Sequence, residues 1–91
     1  MTMETAEMKL DGNAIGGLLR EIFRMEMTTA QATCGGCQAV NPIGRVDVYM
    51  KAPGTVVRCP DCEHILMRIV HGSGRYWLDL TGMRSLEFVE A

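Results

Sequence analysis

Cys34-Gly35-Gly36-Cys37 and Cys59-Pro60-Asp61-Cys62 are two hooks of the same Cys-x2-Cys form, and they hold all four cysteines of the 91-residue chain. Two residues between the cysteines let the backbone turn back, so that both sulfurs face one point and N–H groups inside the turn can donate to them. Two such hooks supply one complete tetrahedral thiolate site. The intervening stretch, 38 to 58, is 21 residues long, slightly more than the usual spacing of about 15–20 for a structural four-cysteine zinc site. That spacing predicts a zinc ribbon with a long central hairpin, its ligands being Cys34, Cys37, Cys59 and Cys62. Gly35 and Gly36 permit a positive φ or crowded backbone in the first hook, and Pro60 fixes φ near the start of the second.

Working outward, the residues on either side of the hooks read as β. Gly44 to Met50 and Thr55 to Arg58 flank Lys51-Ala52-Pro53-Gly54, a turn composition, and predict a hairpin between the hooks. After the second hook, His64 to Val70 and Arg75 to Leu80 flank His71-Gly72-Ser73-Gly74 and predict another. Met27 to Thr33 leads into the first hook as a strand, and Gly82 to Ala91 is expected to pack as a short strand or turn.

Upstream the period changes. Ala14, Ile15, Leu18, Leu19, Ile22 and Phe23 follow the i, i+3, i+4, i+7 pattern of one buried helical face. Asp11 reads as N-cap, with Leu10 and Ile15 at hydrophobic-staple positions. The expectation is an amphipathic helix over about 11–26, despite Gly16 and Gly17, each of which costs about 1 kcal/mol relative to alanine in an exposed helix interior. Close approach of a partner across a Gly12/Gly16 edge is one account of those glycines; plain tolerance in a packed helix is the other. Residues 1–9 are expected to fray, leaving 10–91 as a single domain. The fold class predicted is therefore small α+β: an N-terminal amphipathic helix followed by an antiparallel zinc-ribbon β domain over about 27–91.

Size and charge narrow the function. A chain this short has a marginal hydrophobic core, and a metal staple is a common remedy. The opening Met1-Thr2-Met3-Glu4-Thr5 has no basic segment followed by an apolar run, so a cytoplasmic, reducing location is expected, where four cysteines bind metal rather than form disulfides. No apolar stretch approaches a membrane span. The formal charge is −2, and one Zn2+ held by four thiolates lowers it further, which disfavours non-specific nucleic-acid binding. From Met27 onward, six basic residues balance six acidic ones, so no basic domain lies behind an acidic tail.

Four thiolates close a tetrahedral ion, so neither His64 nor His71 is needed as a ligand and no position is left open for catalytic water. Asp61 and Glu63 read as a solvated rim. No enzyme is predicted. The candidate recognition surface is Arg58, Arg68, Arg75 and Trp77, centred on Arg75-Tyr76-Trp77, where an arginine beside aromatics could anchor a protein or stack on a base. Alternation puts Tyr76, Leu78 and Leu80 on one face of their strand and Trp77 with Asp79 on the other; Trp77 packed beneath the helix is the plainer expectation for it.

Two hooks around a hairpin resemble the zinc-ribbon or rubredoxin-like family. The run from Leu10-Asp11-Gly12-Asn13 through Met27-Thr28-Thr29-Ala30 and Cys59-Pro60-Asp61-Cys62 to Trp77-Leu78-Asp79-Leu80 resembles short bacterial proteins of a domain-of-unknown-function family. The resemblance implies a zinc-bound β domain with an N-terminal helix and no established activity. One departure is that ribbons and rubredoxins often place glycine just after a hook, where this chain has Gln38 and Glu63. The aromatic core of an iron rubredoxin is also thin here, so iron is the weaker variant. Three functions follow as expectations. The first is a structural zinc module that binds another protein or itself; the second is a transcription-related nucleic-acid-binding ribbon; the third is rubredoxin-like electron transfer.

Overall fold

The computed structural model describes residues 9–51 and 54–90. Eight strands run through it: β1 (Lys9–Asp11), β2 (Gln31–Cys34), β3 (Val40–Pro42), β4 (Asp47–Lys51), β5 (Gly54–Arg58), β6 (Ile65–Gly72), β7 (Arg75–Asp79) and β8 (Met83–Glu87). Short 3-10 turns occupy Gly12–Ile15 and Ile43–Arg45, and the one α-helix among the described residues, α1, spans Gly16–Phe23. The strands form two antiparallel sheets, one of five strands in the order β1-β4-β5-β6-β7 and one of three in the order β3-β2-β8.

This architecture corrects the expected fold class. The molecule is mostly antiparallel β in two sheets with one short helix, not an N-terminal amphipathic helix followed by a zinc ribbon. The expected start of the helix is extended: Leu10 pairs with Val48 and Asp11 with Asp47. Asp11 does act as a cap, its carboxylate accepting from the Asn13 N–H at 3.0 Å, but what it caps is a 3-10 turn. At the other end Arg24 turns left-handed (φ 65°) and its N–H bonds back to the Arg20 carbonyl, which stops the α-helix after eight residues. Glu26, expected inside the helix, instead accepts from the Thr28 N–H and hydroxyl and faces Arg20 at 3.6 Å.

Both hairpins stand close to where the sequence places them. Lys51 pairs with Gly54 in the first, whose turn residues Ala52 and Pro53 lie outside the described residues, as do residues 1–8 of the expected frayed end. In the second, Gly72 pairs with Arg75 across Ser73-Gly74, both at positive φ (54° and 72°), the signature of a type I′ turn that matches the twist of its strands. A register shift between Val57 and Arg58 lets the consecutive residues Leu66 and Met67 of β6 both be buried.

One apolar core joins the two sheets and the helix. Ala32 and Cys34 enter it from the smaller sheet, Val48, Val57, Met67 and Ile69 from the larger, and Ile15 and Leu19 from the helical segment. Burying this shared face is what brings the sheets together, at roughly 1.5–3 kcal/mol for each large aliphatic side chain. Gly12 shows how tight the contact is, because a Cβ there would fall 1.5 Å from the Ile43 carbonyl oxygen. Close approach therefore explains Gly12, whereas Gly17 faces open space. No helix among the described residues is long and apolar enough to cross a membrane.

Candidate metal centre

The two hooks grow from different sheets. Cys34 ends β2 of the three-stranded sheet and Cys37 follows before β3; Cys59 directly follows β5 of the five-stranded sheet and Cys62 precedes β6. Their backbones follow one plan. The Cys34 N–H donates to the Ala39 carbonyl and the Gln38 N–H returns to the Cys34 carbonyl; in the second hook Cys59 donates to His64 and Glu63 returns to Cys59. To close each turn the residue after the second cysteine goes left-handed, Gln38 at φ 67° and Glu63 at φ 68°. These are the positions where ribbons and rubredoxins often carry glycine. The residues depart from the ribbon pattern while the backbone at both positions adopts the conformation that favours glycine.

Neither Gly35 nor Gly36 has a positive φ, so the first hook needs glycine for another reason. A Cβ on Gly35 would stand 2.8 Å from the Gly82 carbonyl oxygen, which accepts the Gly35 N–H, and one on Gly36 would stand 3.0 Å from the His64 ring. The first hook is thus pressed against the second and against the link between β7 and β8. Asn41, buried in β3, donates to the Asp61 carboxylate at 2.9 Å and ties the second hook to the smaller sheet. Asp61 is therefore anchored as well as solvated.

The four Sγ atoms lie within 4.8 Å of one another, with Cys34 to Cys62 and Cys37 to Cys59 both at 3.7 Å. Thiolates at about 2.3 Å from a shared tetrahedral ion stand about 3.8 Å apart, so the cluster fits such an ion. Both cross-hook contacts join one sheet to the other. Backbone N–H groups converge on the inner sulfurs, from Gly36 (3.2 Å) and Cys37 (3.4 Å) onto Cys34 and from Asp61 (3.4 Å) onto Cys59. Cys34 and Cys59 are buried, Cys37 and Cys62 exposed.

Electrostatics divide the thiols. Burial pushes Cys34 up, but the Cys37 and Gly36 N–H groups and the neighbouring sulfurs outweigh it and bring the thiol down to about 7. At Cys62 the His64 N–H pulls down, while burial and the other three sulfurs push the thiol up to about 12. Cys59 is raised, chiefly by burial. A cluster that resists holding four negative charges by itself is one that a divalent cation completes. The two histidines stay outside it: the His64 ring packs on Gly36, and His71 stacks on Tyr76 with centroids 4.1 Å apart.

Arg58, Arg68, Arg75 and Trp77 share the face of the five-stranded sheet turned away from the core. Pairings of Tyr49 with Val56, Val56 with Arg68 and Arg68 with Asp79 run across that face, opposite to buried Val48, Val57 and Ile69. Arg58 lies 5.9 Å from the Tyr49 ring centroid and donates to the Glu63 carbonyl; Arg75 lies 5.7 Å from the Trp77 ring centroid; Arg68 reaches Asp79 at 3.9 Å. Trp77 is 54% exposed. It does not pack beneath the helix, because α1 lies on the other side of the sheet, where the Tyr76 hydroxyl donates to Glu21 at 3.0 Å. Asn41 and Gly82 are residues of the centre that sequence reasoning missed, and His64, weighed there only as a ligand, instead packs its ring on Gly36. A lone Asn before Pro42 and a Gly between Thr81 and Met83 are the only marks the two missed residues leave.

Two antiparallel sheets joined at a four-cysteine cluster define the class to which this chain belongs. A family model described as a family of unknown function, DUF6510, matches residues 4–91, and the chain belongs to that family. No curated protein and no solved structure matches it.

Proposed function

We propose that Cys34, Cys37, Cys59 and Cys62 hold one zinc ion with a structural role, and that the protein is a non-enzymatic interaction module that binds another protein or a second copy of itself through the Trp77 region. The observation that carries the metal reading is the convergence of two like-built turns, from two different sheets, on a cluster with sulfurs 3.7 Å apart across the hooks. An all-thiolate set favours zinc among common divalent ions, and four protein ligands leave no position for substrate. Structural zinc contributes on the order of 10 kcal/mol of apparent binding free energy, comparable to the stability of a whole small domain.

Metal analysis of protein expressed without added metal, followed by chelation under circular dichroism, tests this. One zinc per chain, colourless protein and loss of ordered β signal on chelation are expected. A red, redox-active iron centre would replace this reading with electron transfer, and a fold indifferent to chelation would end the structural role.

A second reading, nucleic-acid binding, is favoured by one observation: Arg58, Arg68 and Arg75 lie on the same outward face as Tyr49 and exposed Trp77. The overall charge of −2 weighs against it. Salt-dependent binding of single-stranded oligonucleotides, weakened by Arg75→Ala, is its requirement.

A further inference from the structure

Among the described residues, strand β7, Arg75-Tyr76-Trp77-Leu78-Asp79, is an edge strand whose one partner is β6, and all five of its residues are exposed. Edge strands are commonly guarded by proline, a bulge or an inward-pointing charge. This one has no proline and no register shift, and its central residues are Tyr76, Trp77 and Leu78, at 36%, 54% and 37% exposure. Its charges sit only at the two ends, with opposite sign.

The type I′ turn decides which backbone groups are free. Gly72 and Arg75 flank a two-residue loop and so exchange both hydrogen bonds, and alternation then turns Arg75, Trp77 and Asp79 toward β6. The N–H and C=O groups of Tyr76 and Leu78 point to the open edge.

We propose that β7 pairs antiparallel with β7 of a second copy of this chain, in the register that sets Trp77 opposite its counterpart. This rests on the reading of the protein as an interaction module and names its partner. The strand is complementary to itself in that register. Tyr76 meets the second copy's Leu78 at both hydrogen-bonded positions, where the free backbone groups are. Arg75 meets Asp79 at both ends on the outward face, and the two Trp77 side chains meet between those ion pairs at the closer, non-hydrogen-bonded position. The two five-stranded sheets become one continuous sheet across a two-fold axis, an isologous contact that closes on itself rather than propagating. A strand of nucleic acid would answer the arginines but would leave Asp79 facing phosphate and the free backbone groups unpaired.

Sedimentation equilibrium of the zinc-loaded protein from about 1 μM to about 500 μM reads the pairing as a mass that rises to that of a dimer. Leu78→Pro removes an N–H that faces the open edge, where proline is tolerated in a sheet, together with the side chain that meets Tyr76 of the second copy, and is expected to weaken association by at least about tenfold while zinc content and circular dichroism stay unchanged. Arg75→Asp and Asp79→Arg each set like charges opposite in both pairs and are expected to weaken it by about tenfold, whereas an equimolar mixture of the two variants restores the dimer. A zinc-loaded, folded protein that stays monomeric over the whole range overturns the pairing while leaving the module reading intact. So does a dimer indifferent to Leu78→Pro and to Arg75→Asp, or a monomer that captures single-stranded nucleic acid on Trp77. Protein that carries no zinc would instead defeat the reading beneath it.

Discussion

The two hooks share one backbone plan and meet very different surroundings. Each has the same pair of turn hydrogen bonds, the same left-handed residue after its second cysteine, and one buried and one exposed sulfur. Yet the first is wedged between the Gly82 carbonyl and the His64 ring, while the second is tethered by Asn41 through Asp61. The shared turn is what brings the four sulfurs together; the residues between the cysteines answer to the neighbouring chain. Gly35-Gly36 and Pro60-Asp61 are two solutions to one geometry under different crowding.

The largest test treats the hooks as equals. Replacing any one cysteine, Cys34→Ser or Cys59→Ser for instance, is expected to abolish tight metal binding and cooperative unfolding alike, a loss on the order of 10 kcal/mol in apparent terms. Metal analysis and calorimetry read it, and a first-hook variant that still unfolds cooperatively would break the equivalence. Acid is the reversible form of the same experiment: the thiolates bind only when deprotonated, so the ion leaves as pH falls and returns as it rises.

Crowding comes next. Gly35→Ala drives a Cβ toward a backbone oxygen 2.8 Å away and is expected to destabilise by about 1–3 kcal/mol, whereas Pro60→Ala costs less than about 1 kcal/mol. Denaturant midpoints of the two variants decide whether the hooks differ as described.

The tether should be asymmetric. Asp61→Ala leaves the buried Asn41 amide without its partner and is expected to cost about 1–3 kcal/mol; Asn41→Ala releases an exposed carboxylate to water and costs about 1 kcal/mol. Equal losses in urea melts would show that Asn41 is not the dependent partner. Smallest of all, Gln38→Gly and Glu63→Gly relieve the same left-handed strain and are each expected to gain about 0.5 kcal/mol, with matching shifts in melting temperature.

These contrasts also show what the amino-acid order made legible. The hooks and both hairpins are local: cysteine spacing, a glycine-rich turn and runs of β-branched residues are enough to find them. The apolar period ends at Phe23, and the expected extension to about residue 26 fails because Arg24 leaves the helical region and Glu26 serves Thr28. The three-stranded sheet was not visible as a sheet. Val40-Asn41-Pro42 is too short to alternate, and β2 finds its other partner, β8, about fifty residues away, with Gln31 opposite Glu87. The faces of β7 were legible from alternation, but the side covered by α1 was a tertiary matter, and Trp77 was consequently placed under a helix that lies over Tyr76.

The alternation of buried and exposed sulfurs gives any ion held here a route of departure. With an ion bound, a competing chelator arriving from water would reach the exposed Cys37 and Cys62 before the buried Cys34 and Cys59. Those last two ligands belong to different sheets. Such a clasp would loosen on its outer side while its inner pair, one cysteine at the end of β2 and one just after β5, still spanned the two layers.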